Sequence, residues 1–155
     1  MMSFDDLVTA EAIAAPLNIG SKKQLFQRIA DISATAYGLD ADQVFERLTE
    51  RERLGSTGFG GGIAIPHAKV DGLDHVRGIV CLLDPAIDFE AVDQAPVDII
   101  FALLSPVDSG AEHLKTLARV SRFLRGDAQV ARMRGAGSTA ALFAILAGQE
   151  ARDAA

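Results

Sequence analysis

Three histidines are available to this chain, and two of them sit where an imidazole could do chemistry. His67 follows Pro66 and the short β-like stretch Ile63-Ala64-Ile65. Ahead of these runs the glycine-rich segment Gly55-Ser56-Thr57-Gly58-Phe59-Gly60-Gly61-Gly62. Glycines let backbone N–H groups approach an anion closely, and Ser56 and Thr57 add hydroxyl donors. Pro66 has a fixed φ and biases Ile65 toward extended geometry. A neutral imidazole held there is a nucleophile whose free ring nitrogen can attack phosphorus. The competing reading of His67 is a loop histidine without a role. His113 lies in Ala111-Glu112-His113-Leu114, at the expected start of a long helix. A helix N-terminus favours anions and disfavours a protonated ring. His113 is therefore expected to be neutral, with one N–H to offer a phosphoryl oxygen, unless it is only a capping or surface residue. His75, beside Asp74 in a polar turn, reads as surface.

Other chemistries fit less well. Zinc needs three or four ligands, and two separated histidines with no cysteine beside them do not supply them. No Gly-Lys-Ser/Thr follows the glycine run, so it is not a nucleotide phosphate loop, and it lacks the spacing and strand-first context of a dinucleotide fingerprint. No Gly-x-Ser-x-Gly occurs, which disfavours a serine hydrolase. A histidine nucleophile, a positive charge and a tight loop remain.

The elements that must position these residues read as follows. Leu25, Ile29, Ile32 and Ala36 recur at helical spacing, with Ser21 as N-cap and Gly38 as the stop. A second helix opens at Asp40, with Gln43 three residues on in a capping-box pattern. Val44, Leu48 and Leu54 give it an apolar side, and the charged cluster Glu46, Arg47, Glu50, Arg51, Glu52 and Arg53 at its end reads as a solvated face. Gly78 to Leu83 and Val97 to Leu104 are apolar runs expected as strands buried on both faces. Asp84-Pro85 and Ser105-Pro106 would end them, and Ile87-Asp88-Phe89 would add a short edge strand. From Gly110 a helix carries Leu114, Leu117, Ser121 and Leu124 on one face and stops at Gly126. A short helix from Asp127 to Met133 follows, then one capped by Ser138 through Leu142, Ile145 and Leu146. Interleaved helices and buried strands predict an α/β fold with a sheet covered on both faces, its strand order open.

Composition bounds the rest. The 155 residues fit one domain (1–155, core about 5–148), 49% hydrophobic and only 6% aromatic, without tryptophan. That is an aliphatic globular composition, neither disordered nor fibrous. A net charge of -6 disfavours generic nucleic-acid binding. Cys81 is the single cysteine, so no intrachain disulfide can form, and its apolar surroundings predict a buried structural thiol. Met1-Met2-Ser3-Phe4-Asp5-Asp6 lacks the basic and apolar regions of a signal peptide, and no run approaches the ~20 apolar residues of a membrane span. The expectation is a cytoplasmic protein with no membrane insertion.

Glu50-Arg51-Glu52-Arg53-Leu54-Gly55-Ser56-Thr57, the glycine run and Ile63-Ala64-Ile65-Pro66-His67 together form one long motif. It resembles the signature of enzyme IIA domains of the fructose/mannitol class in the bacterial phosphoenolpyruvate-dependent phosphotransferase system. A second block agrees: Pro96-Val97-Asp98-Ile99-Ile100-Phe101-Ala102-Leu103-Leu104, then Glu112-His113-Leu114 opening a helix. The resemblance implies an α/β sandwich with a mixed central sheet of about five strands between helices. It implies a phosphoryl group carried on His67, with Arg51 and His113 beside it and Ser56 or Thr57 helping to orient it. The implied donor is a small histidine-phosphorylated carrier of the HPr type, here an NPr-type protein, docking on a shallow apolar face. No metal or organic cofactor is implied. The text around Ala86-Ile87-Asp88-Phe89 and Gly110-Ala111-Glu112-His113-Leu114-Lys115 is closer to the nitrogen-related regulatory branch (IIA-Ntr). In that branch the phosphorylation state signals to partners such as sensor kinases or potassium-handling proteins. The alternatives are a sugar-uptake subunit passing phosphate to a IIB partner, and a non-catalytic binding module of the same fold.

Overall fold

Helices stand where the apolar period places them. In the computed structural model, which describes residues 3–148, the first is α1, Lys22–Tyr37. Met1, Met2 and residues 149–155, part of the 1–155 domain reading, lie outside the described residues. Ser21 caps α1 by accepting from Gln24 N at 3.1 Å. Gly38 ends it at φ 70, a left-handed position that suits glycine, with its N–H returned to Ala34 O. Leu25, Phe26, Ile29 and Ala30 form the buried stripe.

Helix α2, Ala41–Arg53, is capped by Asp40. The expected capping box does not form. Asp40 accepts from Asp42 N, while Gln43 reaches across to Asp71, accepting from its backbone N at 2.8 Å and donating to its carboxylate. Gln43 has a better use in tying α2 to the far end of the strand that carries His67. Leu54 also departs from expectation: it caps the helix C-terminus and is 84% exposed, because the turn after Arg53 carries it off the apolar stripe of Val44 and Leu48.

The sheet is mixed and has six strands where about five were expected: β1 Ile13–Leu17, β2 Gly58–Gly60, β3 Ile63–Ala64, β4 His67–Val70, β5 Arg77–Ile87 and β6 Val97–Pro106. Their order is β1-β5-β6-β3-β2, with β4 also pairing β6. Strand β1 runs parallel to β5, β5 antiparallel to β6, β3 and β4 parallel to β6, and β2 antiparallel to β3. Consecutive residues Gly78 to Cys81 and Ile99 to Pro106 are all buried. Since successive side chains point to opposite faces, both faces of this central pair are covered. Strand β5 continues past Asp84-Pro85, with its register against β6 shifting between Leu82 and Ile87, and β6 runs through Ser105-Pro106. Ile87 closes β5 and no separate edge strand follows; Phe89 packs edge-on against Phe26 instead. Cys81 is fully buried, and desolvation pushes its thiol up to about 12.

Helices α3 (Gly110–Leu124), α4 (Asp127–Gly135) and α5 (Thr139–Leu146, capped by Ser138) complete the chain. The face of α3 is out of phase with the expected one. Its buried residues are His113, Thr116, Val120, Phe123 and Leu124, and Leu114 is 66% exposed. Phe4 fixes the far end of α3, meeting Phe123 and Phe101 edge-on with ring centroids 5.0 and 5.4 Å apart. Each such pair stabilises by roughly 0.5–1.5 kcal/mol beyond its buried area. Phe123 and His113 lie on the same buried stripe of α3, so the face that packs here also turns His113 inward. No helix among the described residues is long and apolar enough to cross a membrane.

Candidate functional site

His67 does not end a strand; it opens β4, opposite Leu103 of β6. Pro66 breaks the path between β3 and β4 because it has no N–H for the ladder, while its carbonyl accepts from Leu103 N at 2.9 Å. The break leaves Ile65 O free to turn toward the ring. His67 Nδ1 lies 2.8 Å from that carbonyl, which can only accept, so Nδ1 carries the hydrogen and Nε2 keeps its lone pair. The tautomer of the ring is thus assigned by a backbone oxygen.

Arg51, in the last turn of α2, donates from Nε to His67 Nε2 at 3.2 Å and from Nη1 to Gly55 O at 3.0 Å. Two points fix the guanidinium: the imidazole and the turn directly after its own helix. Beside it Glu52 is buried, its side chain 7% exposed. Its carboxylate pairs with Lys22 Nζ at 2.9 Å and accepts from Thr57 N at 3.0 Å and Thr57 Oγ1 at 2.6 Å. Burial lowers the His67 pKa below its usual value and the Arg51 charge lowers it further, against an opposing pull from Ile65 O and Glu52. A neutral imidazole at neutral pH is the result.

His113 sits in the first turn of α3, nearly buried, with its ring centroid 5.5 Å from that of His67. Its Nδ1 lies 2.6 Å from Ser105 Oγ. Its pKa is also lowered, as the helix-terminus argument expected, but the causes are burial first and then the charges of His67 and Lys69. The structure therefore brings Arg51, His67 and His113 together. His75 is exposed and bonded to Asp74, apart from them.

The glycine run has a different use from an anion cradle. Gly58–Gly60 is strand β2, and Gly61 and Gly62 turn the hairpin at φ 69 and 81. A Cβ on Gly62 would lie 2.5 Å from Arg134 Nη2 and 3.0 Å from Asp98 Oδ1, but it is the left-handed φ at both positions that favours glycine in this turn. Along β6, Ile63 stands opposite Ile99 and His67 opposite Leu103, which places the turn roughly 13 Å from His67. The segment that does adjoin the site is Gly55 to Thr57. Ser56 Oγ accepts from Gly58 N at 3.1 Å, and the Thr57 hydroxyl is directed to Glu52.

Two residues of the site were not found by sequence reasoning. Glu52 was grouped with a solvated charged cluster, and Ser105 with a strand-ending turn. The one signal for Ser105 is a hydroxyl closing a run of apolar residues. Among the described residues no group of three histidine, cysteine or acidic side chains converges as a metal site.

A phosphotransferase-type α/β domain with an arginine and two histidines at one sheet end is the class these features define. The chain belongs to the family described as "Phosphoenolpyruvate-dependent sugar phosphotransferase system, EIIA 2", which matches residues 6–149. Among its relatives, a nitrogen regulatory protein of Bradyrhizobium diazoefficiens is 43% identical over 146 residues, covering 94% of this chain and 95% of the relative. A nitrogen regulatory protein of Escherichia coli is 36% identical over 151 residues, covering 96% and 92%. The crystal structure of nitrogen regulatory protein IIA-Ntr from Neisseria meningitidis superposes with a TM-score of 0.84 at 32% identity, covering 91% of this chain and 97% of that one.

Proposed function

We propose that this chain is a histidine phosphocarrier that accepts a phosphoryl group on His67 Nε2 from an HPr-like, NPr-type donor. Its phosphorylation state then serves as a nitrogen-related regulatory signal. The observation that carries the reading is the pair of bonds on one ring: Ile65 O holds the hydrogen on Nδ1, and Arg51 stands at Nε2. In the transfer, the Nε2 lone pair forms the new N–P bond as the donor's N–P bond breaks. The donor imidazole leaves with that electron pair and keeps its own ring hydrogen. The hydrogen stays on His67 Nδ1, donated to Ile65 O throughout, so the exchange moves no net proton.

Arg51 shifts from the ring nitrogen to the equatorial phosphoryl oxygens, a geometry suited to a guanidinium. His113 donates to the same oxygens. Transfer between two imidazoles is nearly thermoneutral, so positioning matters more than acid–base work. In the geometry of this site, the orienting part first given to Ser56 and Thr57 passes through the Gly55 to Thr57 turn that Arg51 and Glu52 grip. Leu54, Val107 and Leu114 are exposed apolar residues within three positions of Arg51, Ser105 or His113, which supports donor docking around the site. Regulatory targets would distinguish the two forms by the −1.5 to −2 charge a phosphoryl group adds. The names of the relatives support the regulatory branch over a sugar-uptake subunit. A phosphoenolpyruvate-driven donor cascade followed by intact mass and site mapping tests the proposal. One acid-labile gain of about 80 Da on His67, absent in His67→Ala, is expected. Full labelling of that variant, or no labelling of the folded protein, would refute it.

A further inference from the structure

Ser105 is a buried hydroxyl whose one observed partner is the imidazole beside the reacting one. We propose that Ser105 is a positioning residue that holds His113 as the Nε2–H tautomer, aiming its single N–H at the phosphoryl group on His67. The proposal rests on the phosphocarrier reading above.

The argument starts from the hydrogen on the Ser105–His113 bond. Ser105 is fully buried, and its Oγ lies 2.6 Å from His113 Nδ1. Two arrangements satisfy that distance. If Nδ1–H donates, the Ser105 hydroxyl hydrogen is left without an acceptor among the described residues, in a position water does not reach. If Ser105 donates to the Nδ1 lone pair, both groups are satisfied and the imidazole hydrogen moves to Nε2. Orphaning a buried donor disfavours the first arrangement by about 5- to 150-fold in population.

Strand geometry then aims the ring. His67 stands opposite Leu103, and Ser105 lies two residues further along β6, on the face that Leu103 and His67 share. The buried stripe of α3 turns His113 onto this face, where its ring centroid is 5.5 Å from that of His67. The two ring nitrogens lie on different sides of the imidazole. With Nδ1 tied to Ser105 at the strand, Nε2 is the one ring nitrogen left to face a phosphoryl group on the neighbouring His67 ring. The phosphoryl oxygens only accept, so the opposite tautomer would face them with a lone pair. Because His113 is neutral, its single hydrogen has to be on the correct nitrogen before the donor arrives.

Long-range proton–nitrogen spectra of the full, nitrogen-15-labelled chain read the tautomer directly. Wild type is expected to show a protonated Nε2 and a bare, hydrogen-bonded Nδ1 on His113. Ser105→Ala is expected to give a mixture of tautomers and about a 3- to 10-fold slower phosphoryl uptake, part of a lost neutral hydrogen bond. Ser105→Thr, which keeps the hydroxyl, should restore both. A protonated Nδ1 in wild type would overturn the proposal. So would slowed transfer in Ser105→Ala with an unchanged tautomer, because packing would then be the cause. The spectra need no donor, so the two readings fail separately. A wrong tautomer with His67 still labelled sinks only this inference, whereas an unlabelled His67 with the expected tautomer sinks the carrier reading and the transfer role together.

Discussion

Replacing Arg51 by glutamine removes one charge from the site and shortens the side chain by two heavy atoms. In the structure that charge stands at His67 Nε2, 3.2 Å from Nε, and at Gly55 O, 3.0 Å from Nη1. Two effects follow, with separate readouts. The Arg51 charge lowers the His67 pKa, so Arg51→Gln should raise it, visible in a proton NMR titration of the ring. The second effect is on rate. A hydrogen bond to a charged group contributes about 1.5–3 kcal/mol. At 1.36 kcal/mol per tenfold, losing one such bond in the transition state slows transfer by about 10- to 150-fold. Rapid-quench measurement of phosphate uptake from a fixed donor concentration reads this number. The folded state should change little, because Arg51 is only half-buried and the bond it loses to Gly55 O lies in an exposed turn. A His67 pKa that falls in the variant, or uptake within twofold of wild type, would refute the assignment of Arg51 to the reacting group.

Two further outcomes follow from neighbouring groups. Glu52→Gln removes the buried partner of Lys22 and the charge that holds the His67 pKa up, so the pKa should fall further. The chain should also lose about 1–3 kcal/mol of stability for the disrupted buried bonds to Thr57; urea unfolding and the same NMR titration check both. His67 and His113 both have lowered pKa values in the folded chain and take up protons on unfolding. Their contribution to stability is therefore full above pH ~6.5 and is lost as pH falls through their lowered folded values. The urea midpoint should drop between pH 7.5 and pH 5.5 (about two units spanning that window), and a His67→Gln, His113→Gln double variant should flatten the drop. An equal drop in the double variant would assign the effect to other groups.

Much of this protein is local in origin and therefore readable along the chain. Helices α1 and α5 follow from apolar period and serine caps, and the two central strands from apolar runs too continuous for a half-exposed sheet. His67 stands out by its own surroundings, a proline and a glycine run, and His113 by its place at a helix start, while Arg51 reads locally only as part of a charged helix end. The resemblance adds Arg51 and joins the three residues around one phosphoryl group. Readings failed where a residue's environment is supplied by distant chain. Gln43 was a capping residue by spacing and a tether to Asp71 in fact. The glycines looked like an anion cradle, but their conformations serve a hairpin packed against Arg134 and Asp98. The strand β1, with two alanines and a proline, has too weak an apolar pattern to stand out and exists because β5 offers it an edge.

Which groups are available for chemistry is written along the chain, because residue type and short-range spacing are local properties. Tertiary structure decided the state of each group. Breaking the ladder at Pro66 gave His67 Nδ1 a carbonyl partner and left the lone pair on Nε2, facing Arg51. The buried stripe of α3 runs through His113, Thr116, Val120 and Phe123, so that His113 and not Leu114 faces the sheet. Burial made Glu52 a structural anion and Ser105 the partner of an imidazole eight residues away. Burial, tautomer and charge depend on what surrounds a side chain in three dimensions, and those neighbours come from five separate elements of the fold.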